Sequence, residues 1–370
     1  MSLSYLIVTG HDPRSRRRAN IHFIAEELAK RGKSRVFSVG FSPLSNIRAV
    51  DPRIGLERIA NRVESYGKVD CFLWRTAIHP FNPRRSILQN FSHYFYDAYV
   101  SFAPSILERW AAGSDVIIIE SGLPITFLEK LRRASPFSRI LYLASDDNNV
   151  IGCDPHVNQV LWDRSDLLDG AILPSPLLRP SIPPEVVCCL APHGFDPIDP
   201  RALGPNPYHK RGNAVSVGSM LFDPIFFTVA ADYFPDLDFH VIGSGRTQPK
   251  GRANIYYHDE MPYIDTLRYL KHADIGIAPY KGDSGVYYLC DTSMKLRQYQ
   301  YFDLPAVCPD FAVGDNTECR FGYNRAEPQS IKLAIERALD YVGDTARSPV
   351  AMPTWERTVD IMLDTQSYIY

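Results

Sequence analysis

The chain has 370 residues, of which 45% are hydrophobic and 22% charged, and its formal net charge is −2. That composition excludes a disordered or fibrous chain, and the length suits two domains that each bury a core of their own. A nearly balanced charge excludes a global attraction for nucleic acid, so only local patches are left to argue from.

In chain order, short β-branched runs recur at residues 5–9, 35–39, 71–74, 115–120, 139–144, 170–173 and 186–190. Longer amphipathic stretches separate them, the pattern of a parallel sheet wound with helices. Between the first two runs, Ile21, Ile24 and Leu28 fall at helical spacing, followed by Lys30, Arg31 and a C-capping Gly32. From Gly194 to Gly212 four prolines interrupt all periodicity, and the domain boundary is placed there, between an N-terminal domain over 1–205 and a C-terminal domain over 206–350. A second set of strands follows at 214–217, 239–242, 255–257, 275–278 and 306–308. The last segment, 351–370, carries apolar residues at Val359, Ile361, Met362 and Ile369 and is expected to cross back onto the first domain. The fold class expected is therefore α/β, two Rossmann-like doubly wound domains facing a central cleft, the geometry of a GT-B transferase. Fold alone does not give function.

Seven cysteines, Cys71, Cys153, Cys188, Cys189, Cys290, Cys308 and Cys319, are odd in number and show no CxxC spacing, so they read as reduced buried thiols. The apolar stretch at the N-terminus is too short for a signal peptide. No window approaches the roughly 18–20 apolar residues of a spanning helix, and the expectation is a protein neither secreted nor bilayer-spanning.

Glycine turns end two strands of the second half. One strand runs into Gly243-Ser244-Gly245, the other into Gly218-Ser219-Met220. Missing side chains let backbone N–H groups approach a phosphate or sugar, although a tight turn alone also explains a lone GxG. A third element, Asp291-Thr292-Ser293-Met294-Lys295, places a capping hydroxyl at Ser293 and an ammonium at Lys295 in the first turn of a helix. Helix N-terminus and ammonium both favour a diphosphate; a solvated surface lysine is the plain alternative. The text from Lys295 to Pro305 resembles the K-x-x-E-A-M-A-x-G-L-P helix and turn of many GT-B transferases, with Gln298 where those carry an acid. The amide keeps hydrogen bonding and removes the charge.

In the first half, the run ending at Ala144 delivers Ser145-Asp146-Asp147-Asn148-Asn149. An aspartate there can serve as the general base of an inverting transfer, taking the proton of an acceptor hydroxyl. It can equally cap the next helix, and from the residues alone Asp146 and Asp147 stay open. No cluster has metal-ligand spacing and no apolar-flanked DxD occurs, so no catalytic metal is expected and leaving-group charge falls to Lys295, Ser293 and the glycine loops. Arg14, Arg16, Arg17 and Arg18 follow the first strand, and Arg84 and Arg85 precede an aromatic stretch with Phe91, Tyr94, Phe95, Tyr99 and Phe102. Such a pattern suits an anionic membrane surface, or aromatics in a core beside solvated or paired arginines.

With these residues assembled, the chain resembles the GumK-like, membrane-associated glucuronosyltransferases of xanthan-type exopolysaccharide assembly. The likeness is carried over nearly the whole length by HDPRSRRRANIHFI, LWRTAIHPFNPRRS, VSVGSMLFDPIFF, FHVIGSG, GIAPY and SMKLRQYQYFDLPAVCP. It implies a GT-B inverting enzyme that needs no metal and moves glucuronate from UDP-glucuronate to the mannose of a polyprenyl-diphosphate-linked oligosaccharide at the cytoplasmic face of the inner membrane. It implies Asp146 as the base, UDP contacts at Met220, Tyr280, Met294, Lys295 and Gln298, and Glu260 and Met261 at the uridine end. After the base the family pattern reads Gly-Leu-Ser, whereas this chain has Asp147-Asn148-Asn149. Another UDP-sugar on the same fold, or a non-catalytic sugar-nucleotide-binding module, are the alternatives; a dehydrogenase is excluded because neither glycine turn reads G-x-G-x-x-G.

Overall fold

A computed structural model describes residues 2–41, 54–77, 79–80, 91–246, 252–282, 284–315, 318–341 and 352–369. The chain forms two compact units, Met1–His193 with Trp355–Tyr370, and Gly194–Thr354.

In the first unit β1 (Ser4–Thr9), β2 (Lys33–Phe41), β3 (Val63–Tyr66), β4 (Val69–Arg75), β5 (Val116–Glu120), β6 (Arg139–Leu143), β7 (Gly170–Leu173) and β8 (Cys188–Leu190) lie in the order β3-β4-β2-β1-β5-β6-β7-β8. The β3–β4 pair is antiparallel, while β1, β2 and β4 to β8 run parallel. All five residues of β5, Val-Ile-Ile-Ile-Glu, are buried, as a parallel strand covered on both faces requires. The helices are α1 (Asn20–Arg31), α2 (Ser92–Ser101), α3 (Ser105–Ala112), α4 (Leu128–Ala134) and α5 (Pro155–Asp163). Helix α1 buries Ile21, Ile24, Ala25 and Leu28, the stripe read from the sequence. Gly32 after it is not a left-handed cap: its φ is −178°, and an added Cβ would fall 1.9 Å from the Leu3 carbonyl oxygen. Close passage of two backbones is what requires glycine there.

The second unit contains β9 (Asn213–Val217), α6 (Pro224–Tyr233), β10 (Asp238–Ile242), β11 (Ile255–His258), α7 (Tyr263–His272), β12 (Ile275–Ile277), α8 (Leu289–Thr292), α9 (Met294–Tyr301), β13 (Ala306–Pro309), β14 (Arg320–Tyr323) and α10 (Pro328–Leu339). Its sheet runs β11-β10-β9-β12-β13-β14, every pair parallel. This is the doubly wound order, with the winding reversing between β9 and β12. Strands β3 and β14 were not anticipated. Strand β3 has one half-buried and three exposed residues, so it lacks the apolar run that marks a buried strand, and β14 follows an arginine with only Phe-Gly-Tyr.

The expected division at 205/206 falls instead at 193/194. The proline-rich stretch is packed into the second unit: Leu203 and Tyr208 are buried, and the Tyr208 hydroxyl donates to the Tyr269 carbonyl at 2.9 Å. At the other end, α11 (Trp355–Leu363) lies on α1. Trp355 stacks on Phe23 with ring centroids 5.1 Å apart and planes 2° from parallel, Arg31 pairs with Asp360 at 2.7 Å, and Arg139 donates to the Leu363 carbonyl at 2.8 Å. Trp355 is 1% exposed, so Trp355→Ala should destabilise the first unit by about 3–5 kcal/mol, the usual cost of emptying an aromatic core site. Thermal unfolding followed by a probe in each unit will show the loss confined to the first.

Candidate active site

In the first unit the winding reverses between β1 and β5, and polar residues gather at the carboxyl ends of those strands and of β6. Glu120 closes β5 fully buried, and that burial raises its carboxyl pKa against the hydrogen bonds that oppose the rise. Thr9 at the end of β1 donates its hydroxyl to Glu120 Oε2. Ser145 donates to Glu120 Oε1 at 3.0 Å and accepts from Asn20 Nδ2 at 2.9 Å. The same Asn20 amide donates to His193 Nε2 at 3.2 Å. His11 Nε2 stands 3.9 Å from Glu120 Oε1, and its backbone is fixed from both sides, its N–H donating to Thr9 Oγ1 at 3.0 Å and its carbonyl accepting from Ser38 at 2.6 Å.

The two aspartates separate by role. Asp147 Oδ1 accepts from the backbone N–H groups of Asn149 at 2.7 Å and Val150 at 3.4 Å, a local turn that uses up one carboxylate oxygen. Asp146 is half-buried, and its N–H donates to Ser121 Oγ at 3.2 Å. Asn148 is structural as well: it accepts from the Gly122 N–H at 2.7 Å and donates to Asn158 Oδ1 at 2.9 Å. Asp147, Asn148 and Asn149 thus build the loop that follows Asp146.

In the second unit, Gly218, Gly243 and Gly245 have φ of 88°, 64° and 69°, values open to glycine and strained for other residues. A Cβ on Gly243 would also meet Glu260 Cγ at 3.4 Å. The loop after β9 carries Met220, 41% exposed, and Leu221, whose φ of 46° is rare for a branched side chain. That loop is held against the end of β12, Lys281 donating its N–H to the Leu221 carbonyl at 2.6 Å and Asp223 to that of Pro279 at 2.7 Å. The Tyr280 hydroxyl is hydrogen-bonded to Ser293 Oγ. Ser293 caps α9 as the sequence predicts, accepting from the Leu296 N–H at 3.1 Å.

Lys295 is not a solvated lysine. It is 8% exposed, its Nζ lies 5.0 Å from the Tyr280 ring centroid, and desolvation lowers its pKa to about 7. Among the described residues no carboxylate lies within ion-pair distance of it. The ammonium is thus desolvated beside a ring face, and a charge placed so is costly unless it is compensated. Gln298 is buried one turn beyond half-buried Met294 on the same helix face. Glu260 and Met261 are half-buried between β11 and α7.

So the candidates fall into a linked set, the Met220 loop with Tyr280, Ser293 and Lys295, and a second pair, Gly243 with Glu260. Residues 7–174 match the family model for the N-terminal domain of glucuronosyltransferase GumK. Over 98% of this chain and 90% of the relative, 40% of residues are identical to a UDP-glucuronate:glycolipid 2-beta-glucuronosyltransferase of Xanthomonas campestris pv. campestris. The chain belongs to the GumK glucuronosyltransferase family. As a member of that family it is a glycosyltransferase, and its fold is GT-B. The fold is shared with trehalose-6-phosphate synthase from E. coli, at 13% identity and a TM-score of 0.59 over 97% of this chain and 95% of that one. It is shared equally with the N-terminal domain of Candida albicans trehalose-6-phosphate phosphatase, at 12% identity and a TM-score of 0.62 over 100% and 98% of the two chains.

Sequence reading of this GumK-family chain missed Glu120, Asn20, His11 and His193. The available signal was a glutamate closing an all-apolar run. It also missed the pairing of exposed Arg325 with buried Asp223 at 2.7 Å, which anchors the cap of α6. Asp147→Ala, which removes the turn's acceptor, should cost about 1 kcal/mol, read as a fall of about 2–4 °C in the melting temperature of the first unit.

Proposed function

We propose that this chain transfers glucuronate with inversion from UDP-glucuronate to a mannose of a polyprenyl-diphosphate-linked oligosaccharide, in the assembly of an exopolysaccharide. The observation that carries the donor half is buried Lys295 beside Tyr280 and the Ser293-capped helix start. An ammonium and free N–H groups at one helix terminus suit the diphosphate of a UDP-sugar. The curated relative's name supplies the glucuronate and the glycolipid class of acceptor. UDP contacts are assigned to Met220, Tyr280, Met294, Lys295 and Gln298, with Gly218, Gly243 and Gly245 as the close-approach turns and Glu260 and Met261 at the uridine end.

In the mechanism Asp146 takes the proton of the acceptor hydroxyl, the hydroxyl oxygen displaces UDP at the anomeric carbon, and the β-linked product carries inverted configuration. Support for Asp146 over Asp147 comes from the latter's use as a turn acceptor. Lys295 and the α9 N–H groups stabilise the charge that develops on UDP, and the step requires no metal ion. Membrane contact is assigned to α2. Tyr96 and Tyr99 face the core, whereas Phe91, Tyr94, Phe95 and Phe102 are 49%, 63%, 42% and 62% exposed, an aromatic face suited to the headgroup boundary. Arg84 and Arg85, the other half of that assignment, lie outside the described residues. Of the N-terminal arginines, Arg14 is tied to buried Asp12 at 2.7 Å, and Arg18 to Glu26 at 2.6 Å with its guanidinium over Phe23. Exposed Arg16 is assigned to the membrane face. No helix among the described residues is long and apolar enough to cross a bilayer, and peripheral attachment at the cytoplasmic face of the inner membrane is part of the proposal.

Turnover of a panel of UDP-sugars on membrane-extracted lipid-linked acceptor tests the reading. UDP-glucuronate should be used in the presence of EDTA, and Asp146→Ala should abolish transfer while UDP affinity stays within about twofold. Preference for a neutral UDP-sugar would keep the fold and overturn the donor.

The lowered pKa of Lys295 gives a second expectation. Without ligand the ammonium is lost as pH rises through about 7. A bound diphosphate favours the charged form and raises that pKa, so binding takes up a proton above about pH 7. UDP affinity should be level below that point and fall by up to about tenfold per pH unit above it. Calorimetry in buffers of different ionisation heat will detect the proton, and Lys295→Met should bind weakly with no such slope.

A further inference from the structure

Glu120 has no part in the transfer chemistry just described, yet it is a buried carboxyl at the carboxyl edge of the first sheet. Its two oxygens are shared between the ends of three strands. Oε2 accepts from Thr9 of β1, and Oε1 accepts at 3.0 Å from Ser145, the residue after which the loop turns to Asp146. Ser145 is in turn held at 2.9 Å by Asn20, the first residue of α1, whose second amide hydrogen goes to His193 beyond β8. A parallel lacing runs one residue on: Ser121 donates its N–H to the Leu143 carbonyl at 2.9 Å and accepts the Asp146 N–H at 3.2 Å. The backbone of Asp146 is therefore gripped on one side by its own N–H and on the other through the Ser145 side chain.

We propose that Glu120, Ser145 and Asn20 form a clamp of positioning residues that sets the direction of the Asp146 carboxylate. This rests on the reading of Asp146 as the base. A carboxylate that must meet one hydroxyl in line with a departing diphosphate tolerates little misplacement, and Asp146 stands on a loop that these cross-links tie to the sheet. The clamp works through hydrogen bonds, which a glutamine can supply: its carbonyl accepts from Ser145, and Thr9 reverses its hydroxyl to accept from the amide. The charge of Glu120 is therefore dispensable, and its hydrogen bonds to Thr9 and Ser145 are not.

The test is steady-state transfer by the full chain with UDP-glucuronate and membrane-extracted lipid-linked acceptor, alongside UDP affinity and melting temperature. Ser145→Ala, which deletes one hydroxyl, should lower kcat about tenfold or more while acceptor KM and UDP affinity move less than about twofold. Glu120→Ala should do the same, and the double variant should be no slower than the slower single, because both cut one connection. Glu120→Gln should keep kcat within about threefold of the parent. A folded Ser145→Ala with parental kcat overturns the clamp. So do single effects that multiply in the double variant, or a Glu120→Gln as slow as Glu120→Ala, which would mean that charge is what is used. If Glu120→Ala does not fold, Ser145→Ala and Asn20→Ala carry the comparison. Asp146→Ala run beside them separates the two layers: full turnover there removes the base assignment itself, whereas a dead Asp146→Ala with an unaffected Ser145→Ala removes the clamp alone.

Discussion

Both units depend on one constraint of doubly wound sheets. Where the winding reverses, the loops leaving two adjacent parallel strands diverge to opposite faces and leave a crevice lined by backbone groups. In the first unit that place lies between β1 and β5, and Thr9, His11, Glu120 and Ser121 stand there. In the second it lies between β9 and β12, and the Gly218 loop and Tyr280 stand there. Polar and charged side chains gather at these points because the strands behind them are apolar and fully covered.

The two crevices handle buried charge in opposite ways. In the first, Glu120 is satisfied by hydroxyl donors, and burial shifts it toward its neutral form. Nothing there calls for an external ion. In the second, Lys295 is desolvated beside an aromatic face, with no carboxylate at ion-pair distance among the described residues. Desolvation costs an ammonium several kcal/mol that a neutral group would not lose, which is why the pKa of Lys295 is lowered. The unit with a self-satisfied carboxyl suits the work of orienting a base, and the unit with a desolvated cation suits the work of holding an anion.

Rigidity in each crevice comes from bonds that cross between loops. The strained backbone at Leu221 persists because hydrogen bonds to the end of β12 over-determine it, a pattern common at ligand sites. Asp147 and Asn148 do the same for the loop that carries Asp146. The loop is held by the Asp147 carboxylate and by the side-chain amides of Asn148, Asn149 and Asn158.

What the sequence by itself determined was whatever is local or periodic. The apolar runs marked the parallel strands, the helical stripe of Ile21, Ile24 and Leu28 marked α1, and Ser293 ahead of Lys295 marked a helix start, because each depends on residues within a turn or a strand of one another. Tertiary structure alone decided the rest. It set the boundary at 193/194, since Leu203 and Tyr208 bind the proline-rich stretch through contacts about 60 residues away. It tied Arg14 and Arg18 into internal pairs while Arg16 stays exposed, and it divided the aromatics of α2 between core and exposure. It turned Lys295 from a residue that could be solvated into a buried ammonium, and it brought Asn20, Glu120 and Ser145 to one point from positions as far as 125 residues apart. Burial and long-range pairing are properties of the packed chain, and no short window of sequence contains them.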